Sequence, residues 1–330
     1  MNTLIRSITA GLALAIMTVA SAAQDRPAAA AQSFPDRPVR IVVPFPPGGP
    51  LDIMTRVYAQ RLSEEWKQPV VVENRAGGNS AIGAQQVARS TPDGYTLLVA
   101  MDTTLVMNPL TVPNLSYDAQ KDFVLVSLMA QNPALLVVPS GGAKDVAELI
   151  ARAKAKPGTL SYGAGVLPTR LAGYLFNKLA GIDAVFVPYK GSSEVAQGLL
   201  TGSIEYGFDG VAPYLALIEK GQVRALAKLN SNPLPQLPAL RPLAEIAGLP
   251  ALGDFSVWSG LAAPAGTPPA VVERLQRSIA EASAAPEVSD RLRQMGIYAT
   301  SSTSQAFSDF VRAETGKWGK VVEESGFKMN

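Results

Sequence analysis

Apolar residues along this chain fall into short β-branched runs separated by helical patterns. Val39–Val43 (VRIVV) is such a run, the mark of a buried strand. A Pro/Gly turn follows, Pro44 to Gly49, and then Leu51, Met54, Tyr58, Leu62 and Trp66 lie three or four apart on one helical face. Pro50 suits a first helical position, where its missing N–H costs nothing. The alternation continues. Val70 to Asn74 predicts a strand, Ser80 caps a helix running to about Ser90, and Tyr95 to Ala100 is strand-like. Asp102 to Ser116 reads as a long loop, and Phe123 to Met129 and Ala134 to Val138 as two more strands. After Pro139-Ser140-Gly141-Gly142, a crossover into a second unit, the pattern gives a helix Asp145 to Lys156 and a strand Leu160 to Gly163. A turn Ala164 to Thr169 and a helix Arg170 to Ala180 come next, then a strand Val185 to Pro188 and a short helix Val195 to Thr201. Ile204 to Asp209 and Val223 to Leu229 predict strands around a helix Ala212 to Lys220. The proline-rich stretch Asn232 to Pro250 is mostly irregular, and Phe255 to Ala262 is extended. Three helices close the chain: Pro268 to Ala284 with Thr267 as cap, Glu287 to Met295, and Ser304 to Glu324. Such alternation argues an α/β fold with a largely parallel sheet.

Each half of the chain begins with a strand, a glycine turn and a helix: Val39 to Trp66, and Leu160 to Ala180. A helix N-terminus after a glycine turn points unpaired N–H groups and a positive dipole end at one spot, so PFPPGG reads as an anion-binding turn or as a rigid turn only. It lacks the P-loop lysine and is not G-x-G-x-x-G. Ligands of open α/β sheets bind beyond the carboxyl ends of the strands, so two facing turns would trap a small ligand between two sheets. The helices after Ala262 have no sheet of their own and must rejoin the first unit.

Composition narrows the chemistry. The chain has 330 residues, a formal net charge of +2, and neither Cys nor His. That absence removes a Ser-His-Asp triad, a Cys nucleophile and any Cys/His metal site. So weak a charge implies no nucleic-acid partner. At the N-terminus Arg6 precedes an apolar stretch, Ile8 to Ala20, and Ala20-Ser21-Ala22 fits an A-x-A cleavage site. Residues 1–22 are thus expected to be a signal peptide and 23–34 a disordered leader. The mature chain is expected to be soluble and periplasmic, and without Cys it carries no lipid anchor.

Six blocks carry a family resemblance: VRIVVPFPPGGPLD, QPVVVENRAGGNSAIGAQQVA, TPDGYTLLVA, YDAQKDF, VPYKG and GLAAPAGTPPAVVERL. In this order and spacing the chain resembles the substrate-binding proteins of tripartite tricarboxylate transporters, the Bug family, from about Phe34 to Gly326. The resemblance implies a periplasmic binding protein of type II-like form, two α/β domains joined by two crossover strands. Residues 35–138 and 263–330 would form the first domain and 139–262 the second. It implies a monomer, no enzyme and no cofactor. Its ligand would be a small organic carboxylate held in the interdomain cleft, and its partners the membrane permease subunits. Cleft residues implied by position are Phe45, Gly48, Gly49 and Asp52 in and after the first turn, Asn79 and Ser80 at the next helix, and Thr103 and Thr104 after the strand ending at Ala100. In the second domain they are Gly165 and Thr169 in the facing turn, Tyr189, and Asp209.

Most of these have a plainer reading too. Asp52 can satisfy its helix N-terminus, Ser80 and Asp209 can be helix caps, and Phe45 and Tyr189 can be packing residues. Lys190 reads as a solvated loop charge and Trp258 as core. The chain also departs from the family. GAGVLPTRLAG is shorter than the usual second-domain turn, Arg170 takes the place of its terminal His, and Met101-Asp102 replaces a more neutral pair. Arg170 is therefore a candidate for direct pairing with a ligand carboxylate. A periplasmic sensor would use the same cleft. An α/β hydrolase or lyase is disfavoured by the missing His, Cys and G-x-S-x-G.

Overall fold

The computed structural model describes residues 34–325, apart from 232, 253 and 254. The expected signal peptide and most of the leader lie outside the described residues. Phe34, the last leader residue, is a core ring 5.0 Å from Tyr95 and 6.3 Å from Trp66, so ordered packing begins one residue before the expected border.

One chain-long sheet organises the fold. Its strands are β1 (Val39–Val43), β2 (Val70–Asn74), β3 (Thr96–Met101), β4 (Phe123–Pro139), β5 (Leu160–Ala164), β6 (Ala184–Pro188), β7 (Tyr206–Gly210), β8 (Val223–Lys228), β9 (Ser256–Pro264) and β10 (Tyr298–Ala299). The order is β2-β1-β3-β9-β4-β7-β5-β6, with β8 and β10 also pairing β4. Within each half the βα units run parallel, as the alternation predicts, but β9 and β4 insert antiparallel between them.

The two strands expected at Phe123 to Met129 and Ala134 to Val138 are one 17-residue strand. Its first part, to Pro133, pairs β9, and from Ala134 onward it pairs β7 and β8. Pro133 has no N–H to give a ladder, which suits the point where pairing changes sides. The change therefore falls at Pro133/Ala134, inside the segment expected to belong wholly to the first domain. On the return path Leu229 bridges the halves: its N–H reaches Ala134 O, and its carbonyl accepts from Phe255 N.

The helices are α1 (Pro50–Trp66), α2 (Ala81–Ala88), α3 (Asn108–Thr111), α4 (Val146–Ala155), α5 (Leu167–Ala180), α6 (Ser192–Thr201), α7 (Leu215–Glu219), α8 (Leu243–Ile246), α9 (Pro269–Ala284), α10 (Pro286–Gln294) and α11 (Ser304–Ser325). The predicted face of α1 is buried throughout, Leu51, Met54, Tyr58, Leu62 and Trp66 included. The closing helices do rejoin the first half. Trp66 donates its indole N–H to Ser278 on α9, and Trp258 packs edge-to-face on Phe307 and Phe310 of α11. Thr267 does not cap α9; its hydroxyl donates to Pro264 O, and Pro268 holds the cap position. The second half has its own smaller core around Leu135, Val137, Val195, Leu199, Ile204 and Tyr214. No helix among the described residues is long and apolar enough to cross a membrane.

Candidate ligand-binding site

Both expected turns face one cavity of about 580 Å³. From the first half come Pro44, Phe45 and Pro46, the stretch Ala76 to Ser80, and Thr103. From the second come Ala164 to Leu167, Arg170, Phe186 and Pro188 to Lys190. So Phe45, Asn79, Ser80, Thr103, Gly165, Arg170 and Tyr189 meet at one wall-to-wall gap, while Gly48, Gly49, Asp52, Thr104, Thr169 and Asp209 do not line it.

The residues off the wall each have a local partner that explains their place. Asp52 is buried, and its carboxylate accepts from the Gly48 N–H at 2.9 Å, from Arg56 Nε at 3.1 Å and from Asn74 Nδ2 at 3.0 Å. The first turn thus carries its own anion. Burial raises the Asp52 pKa, but Arg56, the Gly48 N–H and Asn74 outweigh it and hold the carboxyl below its ordinary value. Gly49 is the cap residue of α1, and its carbonyl accepts from Ile53 N. Thr169 folds back on Val166, accepting from its N–H and donating to its carbonyl, because α5 begins at Leu167 rather than Arg170.

Asp209 lies directly behind Gly165. It accepts from Ser192 Oγ and Gly210 N at 2.8 Å and from Tyr214 Oη at 3.0 Å. A Cβ on Gly165 would sit 2.5 Å from Asp209 Oδ1, so only glycine lets the cavity wall approach this carboxylate. Asp209 fastens β7, α6 and the turn after β7 to one another, a positioning role rather than a cap for α7.

The glycine-rich turn before α2 is the most contorted part of the wall. Gly77, Gly78, Asn79 and Ser80 all have positive φ, two of them non-glycine. Side chains from below hold it. Thr104 donates to Ser80 Oγ at 2.9 Å, Asn108 donates to Asn79 O at 2.7 Å, and Tyr117 donates to Thr104 O. Ser80 occupies the cap position of α2 without capping it, since its hydroxyl serves this network. The network depends on a correction to the expected loop after Asp102: Thr103–Met107 is a wide helical turn running into α3, which sets Thr103 and Thr104 on opposite sides.

On the facing wall the Arg170 guanidinium lies over the Phe186 ring, 4.3 Å from its centroid. Burial holds its pKa below the usual arginine value, so an anion in the cavity would offset a desolvation cost already present. Lys190 lines the cavity rather than standing away from it, and its backbone N–H is fixed by Glu194. Phe186 was missed because a strand aromatic has no pattern of its own, and Lys190 was set aside as a solvated loop charge. The adjacent VPYKG block was the available signal. No Asp or Glu lines the cavity among the described residues.

Asp102 stays off the wall. It is fully buried and accepts from Thr103 N at 2.6 Å and Trp258 N at 3.3 Å. Burial pushes its pKa up to about 7, and burial pushes Asp209 up to about 6. Both folded values exceed the unfolded carboxyl value, so the folded state keeps protons the unfolded chain has released. The stability from this linkage is fully present below about pH 4 and is lost as pH rises through about 6 to 7. Melting temperature should therefore fall between pH 5 and pH 8, and Asp102→Asn should flatten that slope. An unchanged slope in Asp102→Asn would refute the assignment to Asp102.

Comparison with known proteins decides what scaffold this is. The family model described as "Tripartite tricarboxylate transporter family receptor" matches residues 54–327. The chain belongs to that family. Its similarity to Bordetella pertussis BugT is 35% identity over 305 residues, 91% of this chain and 92% of BugT. Among solved structures, R. palustris Rpa4515 with adipate superposes with a TM-score of 0.84 at 34% identity, covering 89% of this chain and 98% of that one. MatC from Rhodopseudomonas palustris with bound malate gives 0.81 at 29%, covering 88% and 100%. The tripartite tricarboxylate receptors are periplasmic solute-binding proteins rather than enzymes, which removes the hydrolase and lyase reading. The type II-like fold with its two domains follows from the same neighbours.

Proposed function

We propose that this protein captures a small organic carboxylate between the two halves of its sheet and delivers it to the membrane permease of a tripartite tricarboxylate transporter. One observation carries the reading: the charged side chains lining the cavity are Arg170 and Lys190, both cations, on a scaffold whose relatives were solved with adipate and malate. In this reading Asn79, Ser80 and Thr103 offer hydrogen bonds from the first half, and Phe45 and Tyr189 flank the ligand. Residues 35–138 with 263–330 form one domain and 139–262 the other, and the two close on the ligand about the crossovers near Pro139 and Ala262. The protein works as a monomer. Residues 1–22 direct export and are removed, which the intact mass of exported protein checks.

A thermal-shift screen tests the ligand class. Adipate and malate are compared with neutral adipamide on the mature protein. A ligand at 100 times its Kd adds about 2.7 kcal/mol of stability, a shift of several degrees. Dicarboxylates should raise the melting temperature and adipamide should not. Equal shifts for the acid and the diamide would sink the carboxylate reading.

A further inference from the structure

A second cavity, about 340 Å³, lies where the chain crosses between the halves of the sheet. It shares no lining residue with the ligand cavity. Gln131, Asn132 and Pro133 of β4 meet Asn230 just after β8, Ser256 at the start of β9 and Tyr298 of β10, with Pro233 and Pro235 closing the side. Asn230 is only 4% exposed, yet neither its Oδ1 nor its Nδ2 has a hydrogen-bond partner among the described residues. The buried Oδ1 of Asn132 lacks one too. A buried polar atom without a partner is costly, and three of them at one spot are uncommon in native structures.

We infer that this crossover cavity is a binding site for a small neutral polyhydroxylated molecule. The lining chemistry selects that class. Among the described residues no charged side chain lines the cavity, so an ion would lose its hydration with no described charge opposite it. Carboxamides both donate and accept, which matches hydroxyl groups that do the same. The prolines and the Tyr298 ring give apolar surface for the C–H faces of such a molecule. The volume is many times the roughly 30 Å³ share of one water and within the usual range for small-molecule pockets.

Saturation-transfer NMR on the full chain, with erythritol and glucose as probes, tests the site. The wild type should transfer saturation to at least one probe. Asn230→Leu and Gln131→Met, each near in shape and each checked for cooperative melting, should weaken binding tenfold or more. Arg170→Ala, in the other cavity, should leave transfer unchanged. Absence of transfer to both probes in the wild type would overturn the inference. So would transfer that survives in both crossover variants, or that disappears in Arg170→Ala, which would place the probes in the other cavity. The result is independent of which carboxylate, if any, the first cavity accepts.

Discussion

Replacing Arg170 by alanine is expected to weaken binding of the best dicarboxylate from the screen by ten- to a hundredfold. The side chain lines the cavity with its guanidinium over Phe186, so its plane is held before a ligand arrives. A preset fork suits a carboxylate, and hydrogen bonds to a charged group contribute about 1.5–3 kcal/mol. That range corresponds to roughly ten- to a hundredfold in Kd. Arg170→Lys should recover only part of the loss, because an ammonium neither stacks on the ring nor makes two parallel contacts. Calorimetry of the three proteins measures this. Wild-type affinity in Arg170→Ala would transfer the carboxylate to Lys190 and the facing turn.

Gly165→Ala is expected to impair both stability and binding, although it adds a single methyl. The new Cβ would lie 2.5 Å from Asp209 Oδ1, 2.7 Å from Ser192 Oγ and 2.8 Å from Asp209 Oδ2. Asp209 cannot retreat, being held by Ser192, Gly210 and Tyr214. The wall residue must move instead, and the wall is the ligand site. Forced overpacking of this kind costs about 1–3 kcal/mol. Gly141→Ala is the control, because its Cβ would meet nothing within 4 Å. Denaturant midpoints and dicarboxylate affinity should both fall for Gly165→Ala and stay near wild type for Gly141→Ala. If Gly165→Ala matched the control in both, Asp209 would not be the rigid backing described.

The strand β1 and the helix α1 were legible because local rules determine them. A β-branched run marks a buried strand, and Leu51 to Trp66 at helical spacing marks a buried face. The quoted motif blocks likewise hold Phe45, Asn79, Ser80 and Tyr189, and the family resemblance pointed to Thr103 and Gly165 by position and to Arg170 as a departure; the folded chain brings all seven to one gap. What the sequence did not disclose depends on partners distant along the chain. Whether the first turn presents its N–H groups to a ligand depended on Asp52, whose carboxylate takes the Gly48 N–H and is itself held by Asn74. Ser80 carries the signature of a cap, yet its hydroxyl answers to Thr104, 24 residues on. Lys190 looked like a solvated charge until β6 and α6 set it on the cavity wall. The unbroken β4 shows the same division. Polar Gln131 and Asn132 with Pro133 read locally as a break, but β9 on one part and β7 and β8 on the next supply hydrogen-bond partners through it. Local sequence determined which segments form strands and helices, because periodicity and turn chemistry act within a few residues. Tertiary structure decided which polar groups remain for a ligand, because that depends on which groups the fold has already paired.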